Sequence, residues 1–119
     1  MPSVRREVVL PVPRDRAWEL LTDEDALREW LAEDAELDAE PGGAVRADDR
    51  EGVVEDVEPG RRLAFRWDDG DDASRVVWTL DDVPGGTRVT VLERRLVPDF
   101  VPWAPRLDAL ARAAMLCPA

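Results

Sequence analysis

Carboxylate and guanidinium groups dominate the polar chemistry open to this chain. It carries 27 acidic and 16 basic residues, every basic residue is arginine, and histidine is absent. Histidine is the usual general base and metal ligand near neutral pH. Without it, the two serines, Ser3 and Ser74, and the single cysteine, Cys117, have no partner for nucleophilic catalysis within one chain. One cysteine also leaves no internal disulfide and no zinc or redox-metal set, so no metal site and no cofactor are expected. Neither a phosphate-binding loop nor a dinucleotide-binding glycine run is present. Asp68-Asp69-Gly70-Asp71-Asp72 is acidic enough to suggest calcium, but it lacks the ligand spacing and distal glutamate of an EF-hand loop and reads as an acidic hairpin tip.

What remains is a short set of candidates. Glu93 falls in a run with Val89 and Val91 at alternating positions. If those valines face a cavity, Glu93 shares their side, and a desolvated carboxylate can serve as a general base. The other reading pairs it with Arg95 or a cross-strand arginine on a wet face. Arg46 and Arg66 could grip a ligand carboxylate in bidentate fashion if they point inward. Arg66, however, alternates with the apolar side of its run and is expected in solvent. Five tryptophans, Trp18, Trp30, Trp67, Trp78 and Trp103, are many for 119 residues and are expected in a core or a cavity wall.

These residues need elements to position them. Val4 to Val12 is a β-rich run closed by Pro11 and Pro13, suited to an edge strand. Ala17, Leu20 and Leu21, then Leu27, Trp30 and Leu31, fall at helical spacing and predict two short helices. Beyond Glu33 the period becomes two, broken by Pro41-Gly42-Gly43, Pro59-Gly60, Asp69-Gly70 and Pro84-Gly85-Gly86. Strands are expected near residues 34–39, 44–48, 51–58, 62–68, 74–81 and 87–96. Leu63, Phe65 and Trp67 share one face, as do Val76, Trp78 and Leu80. An antiparallel sheet covered on one side reads this way. Leu107, Leu110, Ala111 and Ala114 then form the stripe of a final helix, with Pro105 as its first residue.

No linker divides the chain, so residues 1–119 are expected to form one domain. The net charge of −11 repels phosphate backbones and anionic headgroups, which argues against nucleic acid and membrane partners. No apolar run approaches the ~20 residues of a membrane span, and no apolar segment follows Arg5-Arg6 as a signal peptide requires. A cytoplasmic location is the expectation.

Val8-Val9-Leu10-Pro11-Val12-Pro13, running into Ala17-Trp18-Glu19-Leu20-Leu21-Thr22-Asp23, resembles the opening of the SRPBCC or START-like superfamily. Pro41-Gly42-Gly43 and the run from Val54 to Trp67 resemble its branch of homologues of the activator of the heat-shock-protein-90 ATPase. Gly85-Gly86-Thr87-Arg88-Val89-Thr90-Val91 completes the pattern. The resemblance implies an α+β helix-grip fold: a curved antiparallel sheet of six to seven strands, two short helices after the first strand, and a C-terminal helix packed on the concave face. It also implies an apolar cavity for a small apolar molecule, here with Trp18, Trp30, Phe65, Trp67, Trp78, Val89, Val91 and Trp103 as lining candidates. No catalytic signature is common to the superfamily. The favoured reading is a non-enzymatic ligand-binding domain. A protein-interaction or chaperone-modulating domain is the alternative, and a cyclase- or dehydratase-like enzyme using Glu93 comes third. The final helix, running from Pro105 to Leu116, is short for this fold, so the cavity is expected to be shallow or the helix completed by a second subunit in a homodimer.

Overall fold

The computed structural model describes residues 3–47, 50–67, 74–95 and 102–116, with Trp67, Arg95 and Leu116 described by their backbone only. The acidic run 68–72 and Cys117 lie outside the described residues. Along the chain come β1 (Ser3–Leu10), α1 (Arg14–Thr22), α2 (Glu24–Trp30), β2 (Glu36–Leu37), β3 (Ala44–Ala47), β4 (Arg50–Glu58), β5 (Arg62–Trp67), β6 (Ser74–Val83), β7 (Gly86–Arg95) and α3 (Trp103–Leu116). The strands form one seven-stranded sheet in the order β1-β7-β6-β5-β4-β3-β2, antiparallel throughout. All three helices sit on one face of it, and the core lies between the two layers.

Local chemistry explains the boundaries. Strand β1 stops at Leu10, two residues before the expected end, where Pro11 removes a ladder donor. The Thr87 hydroxyl then donates to the Val12 carbonyl at 2.9 Å and ties the departing chain to β7. Asp23 caps α2 by accepting from the Ala26 N–H at 3.1 Å, with Glu24 and Asp25 in the first turn favouring its dipole. Strand β2 keeps only two of its six expected residues. Helix α3 begins at Trp103, two residues before Pro105, and runs for 14 residues. Proline is tolerated there because first-turn N–H groups lack intrahelical partners in any case. At 1.5 Å per residue the helix reaches about 21 Å.

Register sorts the side chains onto two faces. Leu63, Trp78 and Val91 are cross-strand neighbours, as are Phe65, Val76 and Glu93, and every one of them is buried toward the helices. Arg66, Arg75 and Arg94 form the corresponding row on the opposite face. A bulge at Glu55 shifts the pairing between Val54 and Asp56, so that Glu55 and Asp56 both reach arginines of that outer face.

Candidate functional site

The concave face of the sheet, roofed by α3 and flanked by α2, gathers most of the candidates. Trp78 lies at its centre, with no exposed surface. Its ring meets Phe65 edge-on at 5.1 Å, Trp30 at 5.3 Å with a 56° tilt, and Trp103 edge-on at 6.4 Å. Offset and edge contacts of this kind suit the aromatic quadrupole. Val89 and Val91 are fully buried on the same face. The rings pack directly on one another at the centre of this face.

Glu93 sits on this buried face, not on the wet one, and it too has no exposed surface. The Ser74 hydroxyl donates to its Oε2 at 3.1 Å and the Trp103 indole N–H donates to its Oε1 at 3.0 Å. A carboxylate is expensive to bury unless donors meet it. These two come from β6 and from the first residue of α3, so the carboxylate fastens the closing helix to the sheet. Arg106 adds a second fastening, donating from Nε to the Leu31 carbonyl at 2.9 Å at the end of α2.

The indole groups are not equally satisfied. Trp30 donates to the Leu20 carbonyl at 2.9 Å and Trp103 to Glu93. The buried Trp78 Nε1 has no hydrogen-bond partner among the described residues. A buried donor left without an acceptor costs roughly 1–3 kcal/mol. It is the indole nitrogen of the cluster with spare capacity among the described residues.

The other candidates are not brought here. Trp18 is half-buried on α1, packed against the edge of the core. Trp67 contributes its backbone to β5, opposite Gly52 and Ser74, and its side chain lies outside the described residues. Arg66 is on the outer face, 3.5 Å from Glu55, and Arg46 pairs with Glu36 at 3.2 Å. Neither is placed for a ligand carboxylate on the concave face. Sequence reasoning missed Ser74 and Trp103 as partners of Glu93. The one signal was positional parity, since Ser74 alternates in phase with Val76 and Trp78.

Grooves open elsewhere on the surface of the described residues. One, of about 420 Å³, lies on the outer face of the sheet, across Val77, Thr79, Thr90 and Leu92 with arginines around it. Another, of about 580 Å³, lies between α1, α2 and α3, beside Arg16, Glu19, Asp25 and Glu29. Among the described residues no group of three or more His, Cys, Asp or Glu is placed to hold a metal ion. No helix there is long and apolar enough to cross a membrane.

An open antiparallel sheet holding a C-terminal helix against its buried face defines a helix-grip domain of the α+β class. The chain belongs to the family of Activator of Hsp90 ATPase homolog 1-like proteins, whose model matches residues 11–102. Solved structures agree. A protein from Mesorhizobium loti superposes with a TM-score of 0.84 at 22% identity, covering 98% of each chain. The Aha1 dimer from Colwellia psychrerythraea does so at 0.79 and 16% identity, over 95% of this chain and 96% of that one. DynU16, from the dynemicin biosynthetic locus, gives 0.79 at 26% identity over 98% of this chain and 48% of its own. Among curated proteins no match was found.

Proposed function

We propose that the domain binds a small apolar molecule carrying one hydrogen-bond acceptor, between the concave face of the sheet and α3. The observation that carries this is the Trp78 indole N–H, buried at the centre of an aromatic cluster without an acceptor among the described residues. A ligand carbonyl or ether oxygen placed there would satisfy the donor while its apolar body stacked on Trp30, Phe65 and Trp103. Because the rings now meet each other, binding requires them to part, with α3 moving outward as Glu93 and Trp103 separate. Val89 and Val91 would then line the floor. The likeness to DynU16 of a biosynthetic locus and the apolar concave face support this reading.

The test is quenching of tryptophan fluorescence by a panel of fatty-acid methyl esters, aromatic polyketides and an apolar probe. Saturable quenching at micromolar ligand, weakened at least several-fold in Trp78→Phe while the variant stays folded, is expected. Trp78→Phe removes the donor and keeps an aromatic ring, so equal affinity in the variant would refute the role given to the indole. A flat response across the panel would shift weight to a protein-interaction domain. That second reading is supported by the family's description and by the dimeric state of the Colwellia neighbour. Sedimentation of this chain as a monomer at all concentrations would weaken its homodimer form. The enzymatic reading assigns Glu93 as base, and unchanged ligand turnover in Glu93→Gln would remove it.

A further inference from the structure

We propose a second binding site, on the outer face of the sheet, for an amphipathic oxyanion: a carboxylate or phosphate head on a short apolar chain. The register builds it from rows running across β5, β6, β7 and β1. Arg66, Arg75 and Arg94 are direct cross-strand neighbours and make the first row. Val77 and Leu92 are paired in the next apolar row, with Arg5 opposite Leu92, and Thr79 and Thr90 are paired in the row beyond. A groove of about 420 Å³ runs over these rows, within the range of small-molecule sites. Rows on one face are separated by two residues, about 7 Å, so a head held at the arginines would lay a short chain along Val77 and Leu92.

Charge carries the argument. Like charges directly opposite in a sheet are destabilising, and this row holds three on adjacent strands of a chain whose net charge is −11. Glu55, delivered by the bulge, meets two of them, lying 3.0 Å from Arg75 and 3.5 Å from Arg66. Arg62 is paired with Asp56 at 3.0 Å and Arg5 with Glu7 at 3.4 Å. Arg94 lines the groove beside Arg75 and has no ion pair among the described residues. Asp81 closes the far end of the groove, which sets the polarity of the bound molecule: head toward Arg94, chain toward the threonines. Planar guanidinium groups donate to carboxylate or phosphate oxygens in bidentate fashion. The concave-face reading takes an uncharged acceptor on Trp78, so the two sites differ in face and in ligand charge.

Methyl NMR of the full chain, with valine and leucine methyls labelled, separates them. Octanoate and octyl phosphate are the probes, with acetate, inorganic phosphate and octanol as controls. Saturable shifts of the Val77 and Leu92 methyls with either probe are expected, while those of Val89 and Val91 stay in place. Acetate, phosphate and octanol should each bind at least tenfold more weakly. Arg94→Gln, at an exposed position, should lower affinity at least tenfold with unchanged thermal stability, and raised salt should weaken binding in the same direction. If only octyl phosphate binds, the site selects a dianionic head, and if only octanoate binds, it selects a carboxylate. The proposal is overturned if neither probe moves Val77 and Leu92, if octanol binds as well as octanoate, or if Arg94→Gln binds unchanged.

Discussion

Trp103→Phe tests whether the buried carboxylate holds the closing helix. The substitution keeps an aromatic ring against Trp78 but deletes the N–H that donates to Glu93 Oε1 at 3.0 Å. Weakening the hydrogen bonding of a buried charged or polar group costs roughly 1–3 kcal/mol. The lost part of the indole, fully enclosed between α3 and the sheet, adds about 1 kcal/mol of packing and cavity cost. The sum is about 2–4 kcal/mol, a large share of the roughly 5–15 kcal/mol that holds a domain folded. At about 4 °C per kcal/mol for a domain near this size, the melting temperature should fall by roughly 8–16 °C. Urea unfolding followed by far-UV circular dichroism gives the free energy directly. Glu93→Gln is the companion variant. Its amide oxygen still accepts from Trp103 and its amino group can donate to the Ser74 hydroxyl, so its loss should be less than half that of Trp103→Phe. A Trp103→Phe loss below about 0.5 kcal/mol, or a Glu93→Gln loss that exceeds it, would show that this network does not fasten α3.

Outcomes are expected at four further positions. Asp23→Ala removes the α2 cap and should cost about 1 kcal/mol by urea unfolding, with Asp23→Asn close to neutral. Thr87→Val keeps the shape but leaves the Val12 carbonyl without its 2.9 Å donor, so a loss of about 1–2 kcal/mol is expected in the same assay. Gly86→Ala would drive its Cβ into the Leu10 carbonyl and should prevent soluble expression or cost more than about 3 kcal/mol. By contrast, Gly60→Ala, at φ 81° with open space around it, should cost only about 1–2 kcal/mol from left-handed backbone strain.

Much of the architecture is local and was readable before any coordinates. Period-two alternation in Leu63/Phe65 and Val76/Trp78/Leu80, the turns at Pro59-Gly60 and Pro84-Gly85-Gly86, and the apolar stripe of Leu107, Leu110 and Ala114 each depend on neighbours within a few positions. They therefore placed the strands and helices within a few residues of where they lie. Helix α3 starts two residues earlier than Pro105 suggests, because Pro105 sits in a first turn, where the absence of its N–H is silent.

The site followed a different logic. Alternation put Glu93 in phase with Val89 and Val91 but left the choice between buried and wet faces open, and packing made it. Two partners that make burial tolerable, Ser74 and Trp103, lie 19 and 10 residues away and meet it only because β6 pairs with β7 and α3 folds back over both. The same holds for the outer face. Composition alone determined that the chain is acidic, rich in arginine and without histidine, and so which chemistries it lacks. Only the cross-strand register of β5, β6 and β7, fixed by burial of the opposite face, decided that Arg66, Arg75 and Arg94 stand in one row. A side chain's type and phase are written in the sequence, whereas its neighbours across a sheet are a property of how distant strands align.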